Sequence, residues 1–168
     1  MSANEGNMAT SENQRQLDKW LEAEGYPTDD LEATRENETT ALMRAARLGR
    51  ADVIQDLLER GADPNRLNAD KNPALWFACF SSSLKSIDLL IDAGADLDTQ
   101  NVNGATSLIY AASAGKTDVV RRLLERGAST APETLDGYTA LDSAASPPVL
   151  KLLRTAVASA AEKENAPS

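Results

Sequence analysis

Short residue patterns recur along the sequence with a period of 33 residues, and this period constrains the fold more than any other feature. Two series keep it: three-residue segments ending in leucine begin at Thr40, Pro73, Thr106 and Thr139, and Gly-Ala pairs begin at Gly61, Gly94 and Gly127. Because two independent series share one step, coincidence is a poor explanation. A period of this size predicts an array of stacked repeats rather than a single globular fold. Such arrays present an extended surface.

Within one period the pattern predicts a helix, a tight turn, a second helix and a loop. In the first repeat the Thr40 hydroxyl can accept a hydrogen bond from an amide of the first helical turn, and Gly49 can end that helix in the left-handed conformation. The second helix is predicted from Asp52 to Gly61, followed by a turn at 63–65. Aromatic residues make up only 4% of the chain, so the core between the helices is expected to be aliphatic and rich in alanine.

The segment before the repeats has a different character. Residues 1–12 are polar and are predicted to be disordered, and residues 13–34 are predicted to form an acidic capping helix and a connector. The helix, predicted over about 11–24, has three apolar side chains on one face: Leu17, Trp20 and Leu21. We expect this face to cover one open end of the stack, because a terminal unit needs one apolar and one polar face.

The repeats are predicted to occupy residues 35–161 as four helix-turn-helix units, with a disordered tail over 162–168. The fourth unit begins normally at Thr139 but is shortened, because Ser146-Pro147-Pro148 replaces the usual turn. The last helix is therefore predicted from Pro148 to about Ala161. The expected fold class is an all-α solenoid with loop or β-hairpin connections.

Charge and composition exclude several classes of function. The net charge is −9, and residues 1–36 carry −6 of it through nine acidic and three basic residues. This charge argues against nucleic acid as a partner, since binding to phosphates needs clustered Lys and Arg. No apolar segment approaches the ~20 residues that a membrane span needs, so no membrane partner is expected. The N-terminus lacks the basic start and apolar segment of a secretory signal, so we expect a cytoplasmic protein. We also expect the protein to be monomeric when isolated.

Residues that commonly carry catalysis or metal binding are scarce. The chain has no histidine and one cysteine, Cys79, so neither an intramolecular disulfide nor a Cys-based zinc site can form. Gly115-Lys116-Thr117 matches the end of a phosphate-binding loop, but Tyr110 stands where that loop needs a glycine. Asp29 and Asp30 lie in a solvated connector rather than in a desolvated cleft. We therefore expect no enzyme activity, no cofactor and no metal.

The repeat unit resembles that of the ankyrin repeat family. The family pattern is Asp-x-x-Gly-x-Thr-Pro-Leu-His-x-Ala-Ala, followed by Gly, a Leu-Leu pair and Gly-Ala-Asp. The matching segments are Asn103-Gly104-Ala105-Thr106-Ser107-Leu108, Ala111-Ala112, Gly61-Ala62-Asp63 and Gly94-Ala95-Asp96. The resemblance covers about residues 35–157. It implies an ankyrin repeat solenoid, whose unit is two helices and a β-hairpin-like loop, and a protein that binds another protein.

Two departures from the family pattern bear on local structure. The family's histidine ties neighbouring loops together by hydrogen bonds, and its places are held here by Met43, Trp76, Ile109 and Asp142. Apolar packing is therefore expected at three of these four places. The second repeat has Lys71 and Ser82 where the family has glycine, so its turns are expected to be strained or to take another form.

The resemblance implies that a partner binds to the loop tips and inner helices, which line a concave face. Carried over by position, the predicted partner-binding residues are Thr39, Arg47, Leu48, Asp70, Asn72, Phe80, Ser81, Val102, Asn103, Ser113, Asp136 and Tyr138. Interface energy tends to concentrate in exposed aromatic and arginine side chains. Arg47, Phe80 and Tyr138 are therefore the leading predicted contacts.

An aromatic cluster marks the second repeat. Trp76 and Phe80 lie four residues apart on one face of the predicted helix. Phe80 is predicted to be exposed and functional, because its position normally faces outward, whereas Trp76 and Phe77 are predicted to fill the core. Cys79 stands at the second alanine place and is predicted to be a small buried core residue.

The sequence thus predicts a non-enzymatic module that binds another protein through its concave face. Two alternatives remain open. One is an inhibitor or immunity-type protein that blocks an enzyme or toxin, for which the acidic N-terminal flank would suit a basic target. The other is a fixed subunit of a larger assembly.

Overall fold

A computed structural model describes residues 2–167 of the chain. The α-helices in this range are α1 (Ser2–Glu24), α2 (Ala41–Arg47), α3 (Ala51–Glu59), α4 (Ala74–Phe80), α5 (Leu84–Asp92), α6 (Ser107–Ser113), α7 (Thr117–Glu125) and α8 (Pro147–Glu164). No β-strand occurs within 2–167, although isolated antiparallel bridges join Thr34 to Thr40 and Leu67 to Pro73. The predicted all-α repeat architecture is confirmed.

The helices form two layers. Inner helices α2, α4 and α6 pack side by side, and outer helices α3, α5 and α7 form the second layer, with α8 against α7. Each inner helix also packs on the outer helix that follows it, so three complete helix pairs are present in the described part of the chain. This arrangement leaves one face of the inner layer, together with the loop tips, free to contact other molecules.

Local chemistry explains where the inner helices begin and end. The hydroxyl of Thr40 accepts a hydrogen bond from the Met43 amide at 3.3 Å, and that of Thr106 accepts from the Ile109 amide at 3.2 Å. Each bond satisfies an amide that has no partner within the helix. After α2, Gly49 adopts a φ of +66°, which ends the helix as predicted.

The backbone keeps the 33-residue period even where the side chains break it. Four loop positions in this register all have positive φ: Glu38 (+56°), Lys71 (+61°), Gly104 (+76°) and Gly137 (+82°). Ser82, at a place where the family has glycine, likewise has a φ of +57°. Of the two outcomes expected for the turns of the second repeat, the structure shows the strained one, because L-residues reach this region only at a cost of about 1–2 kcal/mol.

Neighbouring loops are joined by one backbone hydrogen bond per step. The donors and acceptors are 32 residues apart: Ala69 donates to Asn37 at 3.1 Å, Val102 to Asp70 at 3.0 Å, and Leu135 to Asn103 at 3.0 Å. These bonds tie the loop tips into a row without the family's histidine. At the histidine places, Met43 and Ile109 are buried, so the expected apolar packing is confirmed there.

The core is aliphatic and rich in alanine. Cys79 is fully buried, at the place that Ala46 and Ala112 hold in the adjacent repeats, as predicted. Burial raises the pKa of the Cys79 thiol to about 12. The thiol is therefore protonated and inaccessible, as expected of a packing residue.

The N-terminal helix is longer than the sequence predicts. It begins at Ser2 rather than near residue 11, so residues 2–12, predicted to be disordered, are helical. No proline interrupts this segment, and residues such as alanine, glutamate and glutamine favour a helix. Leu17 and Leu21 are buried and α1 packs against α3, as the apolar face predicts. Met1 lies outside the described residues.

Acidic side chains of the N-terminal flank form ion pairs with arginines of the first repeat. The pairs are Asp18 with Arg60 at 2.7 Å, Glu24 with Arg44 at 2.7 Å, and Glu32 with Arg66 at 3.4 Å. Part of the negative charge of the flank is thus engaged within the protein.

The C-terminal unit departs from the helix pair predicted for a shortened fourth repeat. Residues 140–143 form turns rather than an inner helix, and α8 then extends from Pro147 to Glu164. Pro147 follows these turns closely. Because a residue that precedes a proline disfavours the helical backbone conformation, a full inner helix does not fit before it. Residues 162–164, predicted to lie in a disordered tail, are helical because nothing breaks α8 before them. Ser168 lies outside the described residues.

Candidate functional site

A groove of about 680 Å³ lies between the end of α1, the first two loops and the inner helices α2 and α4. Five of the predicted partner-binding residues line it: Thr39, Arg47, Asp70, Asn72 and Phe80. Both inner helices contribute because their equivalent positions, 33 residues apart, lie side by side. The groove is therefore the place where the structure brings the largest group of predicted contacts together.

Arg47 and Phe80 occupy the same register position on adjacent inner helices. The guanidinium carbon of Arg47 lies 5.2 Å from the centre of the Phe80 ring, within the range of a cation–π interaction. Phe80 is 48% exposed, which agrees with its predicted outward position, and Arg47 is exposed beside it. The last turns of α2 and α4 thus present a positive charge on an aromatic surface.

Trp76 lies in the groove rather than in the core, contrary to the sequence prediction. It is half-buried, and its ring lies 4.7 Å from that of Tyr110, with an angle of 34° between the planes. Stacking on the next repeat holds the indole at the surface instead of letting it fill the space of the family's histidine. Phe77 is half-buried and packs against the core as predicted, but it also lines the groove.

Hydrogen bonds between side chains hold the loop end of the groove. The Asn37 amide donates to the Asp70 carboxylate at 2.7 Å, and the Asn101 amide donates to the Asn72 side-chain oxygen at 3.1 Å. These bonds connect consecutive loops through polar groups that a partner can also contact. Two predicted contact residues, Asp70 and Asn72, are therefore already positioned before any partner binds.

The edge of the groove towards α1 is held by Tyr26 and Arg35. The Tyr26 hydroxyl donates to the Thr39 carbonyl at 3.1 Å, and burial raises the pKa of that hydroxyl. The Arg35 guanidinium donates to the Gly25 carbonyl at 2.6 Å. The repeat pattern does not identify Tyr26, because this residue lies before the first repeat. The only signal in the sequence is an aromatic residue directly after the stop of α1.

The remaining predicted residues lie outside the groove. Six of them are exposed, at helix ends or at the tips of the third and fourth loops: Leu48, Val102, Asn103, Ser113, Asp136 and Tyr138. Leu135, which lies at the tip of the fourth loop next to Asp136, is 79% exposed. Ser81 differs from the expectation, because it is half-buried and its hydroxyl donates to the Ala46 carbonyl at 2.8 Å. That hydroxyl holds α4 to the repeat before it.

Metal binding and membrane spanning would each require a particular arrangement of residues in the described part of the chain. Among residues 2–167, no cluster of three or more His, Cys, Asp or Glu side chains has an arrangement that could hold a metal ion. In the same part of the chain, no helix combines the length and apolar character needed to cross a membrane. The groove presents aromatic surface, the Arg47 guanidinium group and a row of hydrogen-bonded loops.

Comparison with protein families agrees with the structure. The family described as ankyrin repeats, in three copies, matches residues 7–101 and 75–165, which together span nearly the whole chain. Ankyrin repeats are generally protein–protein interaction modules, and proteins built from them are typically non-enzymatic. The two-layer helix pairs, the 33-residue period and this match lead to one assignment: the chain belongs to the ankyrin repeat family.

Proposed function

We propose that this chain binds another protein through the groove and the adjoining loop tips. The observation that carries the proposal is the Arg47–Phe80 pair, in which an exposed aromatic ring lies beneath a guanidinium group at the end of a preformed groove. Aromatic and arginine side chains dominate binding energy at protein interfaces. The family to which the chain belongs supports the same function.

The rigidity of the loop row supports recognition by a preorganised surface. Consecutive loop tips share backbone hydrogen bonds of 3.0–3.1 Å, and Asn37 and Asp70 add a side-chain bond of 2.7 Å. A surface that is already ordered loses less conformational entropy on binding, so more of the contact energy appears as affinity.

The proposal is tested by capturing partners from the native cells with the tagged protein and identifying them by mass spectrometry. We expect one dominant partner that is lost with the Phe80→Ala/Tyr138→Ala variant. Arg121→Ala on the outer helix α7 is the matched control, since Arg121 is exposed and pairs only with Asp118 of its own helix. All variants should have unchanged circular dichroism. Retention of the partner by the double variant would show that another face binds.

The single variants add information about the extent of the interface. Phe80 lines the groove, whereas Tyr138 is an exposed residue of the fourth loop, beyond it. If both single substitutions weaken binding, the partner extends along the row of loops. If only Phe80→Ala does so, the partner is confined to the groove.

We further propose a cytoplasmic location and a monomeric state for the isolated chain. The single free thiol, which is buried, suits a reducing compartment. Light scattering of the purified protein tests the monomeric state, and a dimer would contradict it.

A further inference from the structure

Two cations beside Phe80, which lies at one end of the groove, have no carboxylate as an ion-pair partner. Arg47 stacks on the Phe80 ring, and the Lys116 ammonium donates to the Phe80 carbonyl at 2.8 Å and to the Ser82 hydroxyl at 2.7 Å. Acidic residues outnumber basic ones by 26 to 17 in the chain, yet no Asp or Glu among residues 10–167 forms an ion pair with either cation. One positive charge therefore lies over the exposed Phe80 ring, and the other is bonded to the backbone of the same residue.

The arginines nearest in sequence behave differently. Arg44, one turn before Arg47, pairs with Glu24 at 2.7 Å, and Arg50, three residues after it, pairs with Asp52 at 2.8 Å. Arg50 also holds the place in the first repeat that Lys116 holds in the third. Arg47 and Lys116 thus differ from the two arginines that flank Arg47, and Arg50 offers a matched control.

The opposite end of the groove is acidic. Glu36 and Asp70 line it at the tips of the first and second loops. Helix α2, whose seven residues span about 10 Å, separates this end from Arg47. A ligand that follows the groove therefore meets negative charge at the loop tips and positive charge at the ends of the inner helices.

Aromatic side chains line the groove between these ends. Trp76 and Phe80 are four residues apart on α4, which corresponds to about 6 Å along the helix axis. In an extended peptide, side chains two positions apart point to the same face and are separated by about 6.6 Å. One extended segment can therefore place an apolar side chain on Trp76 and the side chain two positions away beside Phe80.

We propose that the groove binds an extended segment of the partner protein in which an apolar residue and an Asp or Glu lie two positions apart. The apolar side chain contacts Trp76, and the carboxylate lies between Arg47 and Lys116, over the edge of Phe80. This inference rests on the proposed function and adds the chemistry of the segment that the groove selects. A carboxylate there receives charge-assisted hydrogen bonds from two cations that the protein already holds in place.

The test uses a surface-displayed library of randomised peptides of about ten residues, flanked by constant sequence so that no free carboxyl terminus is present. Sorting for binding to the full chain should enrich peptides with an apolar residue and an acidic residue two positions apart. In a synthetic peptide of this type, replacing the acid with its amide should weaken binding about tenfold or more. Arg47→Gln with Lys116→Gln should weaken it similarly, whereas Arg50→Gln should leave it unchanged.

A coupling measurement decides whether the acid contacts these two cations. In the Arg47→Gln/Lys116→Gln protein, the acid-to-amide change in the peptide should have no further effect. An undiminished effect of that change would place the carboxylate elsewhere and overturn the inference. Because Lys116 also bonds to the adjacent turn, Arg47→Gln alone serves as a second variant, with circular dichroism as the check on folding.

The outcomes separate this inference from the proposed function. Enriched peptides that lack the acid but lose affinity with Phe80→Ala overturn the inference and support binding in the groove. Peptides that are insensitive to both Phe80→Ala and Arg47→Gln contradict both proposals. A library without any enriched peptide also overturns the inference, since a short segment should suffice, and the capture experiment then tests the function independently.

Discussion

Gly104 lies so close to Leu135 that it has no room for a side chain. A Cβ atom placed on Gly104 would lie 2.9 Å from the Leu135 nitrogen. The same nitrogen donates a hydrogen bond to the carbonyl of Asn103 at 3.0 Å. The third and fourth loops are thus joined at a point where their backbones are in close contact, and a glycine makes this approach sterically feasible.

Gly104→Ala should lower the free energy of unfolding by about 2–4 kcal/mol, because alanine is strained in the left-handed conformation and its Cβ atom displaces the fourth loop. Gly137→Ala is the matched control: it has a φ of +82° in the same register, and nothing lies within 4 Å of its added Cβ. We expect it to cost only about 1–2 kcal/mol. Urea denaturation of both variants measures the difference, and equal losses would show that the close contact carries no energy.

Lys71→Gly should raise the free energy of unfolding by about 0.5–1 kcal/mol, because glycine adopts the φ of +61° without strain while losing somewhat more entropy on folding. The same substitution at Lys151, in the second turn of α8, should instead lower the free energy of unfolding by about 1 kcal/mol. Thermal and urea denaturation report both changes. A destabilised Lys71→Gly protein would show that the lysine side chain makes a compensating contribution.

Leu108→Asp should unfold the array, because Leu108 is 1% exposed and the aspartate would bring an unpaired charge into the core. Leu135→Asp carries the same chemical change to a side chain that is 79% exposed, and should leave stability within about 0.5 kcal/mol of the parent protein. Circular dichroism and melting temperature distinguish the two. A folded Leu108→Asp protein with an unchanged melting temperature would refute the packing described for α6.

Stability should decrease above pH 9 through Cys79. Burial raises the pKa of this thiol from its ordinary 9.0 to about 12 in the folded state. Below pH 9 both states keep the proton. Between pH 9 and 12 the unfolded state loses it first, so this group lowers stability by at most roughly 1.4 kcal/mol per pH unit. Above the pKa of the thiol in the folded state, both states lose the proton, so Cys79 lowers the stability no further.

Cys79→Ala should remove this part of the pH dependence, since alanine occupies the equivalent buried places at Ala46 and Ala112. Urea denaturation between pH 8 and 10 provides the measurement. In the parent protein, the thiol should also react with a disulfide reagent only as fast as the protein unfolds. Rapid reaction in the native protein would contradict the burial of Cys79.

The period predicts part of the candidate site. Thr39, Asp70 and Asn72, which the family resemblance assigns to the partner-binding face by their place in the 33-residue register, line the groove. Tyr26 could not be found in this way, since it lies outside the register. Trp76 is predicted to lie in the core because it holds the place of the family's histidine, and the sequence does not show that Tyr110, on the next repeat, offers a ring on which it stacks.

The charge of the N-terminal flank illustrates the same limit. Composition shows an excess of acid before the repeats, which suggested a basic target. In the structure, Asp18 pairs with Arg60, 42 residues later, and Glu24 with Arg44. Pairs of this separation have no signature in the sequence, because they depend on how α1 lies against α3.

The sequence by itself determined the period, the starts and stops of the inner helices, and the ankyrin architecture. These features follow from local chemistry: a threonine hydroxyl satisfies an amide three residues away, and a glycine accepts a positive φ. Only the tertiary structure decided that Arg47 lies on Phe80, that Trp76 stacks on Tyr110, and that Arg60 holds α1. Those contacts join residues 33 or more positions apart, and they form only when adjacent units pack and fix the distance between their side chains.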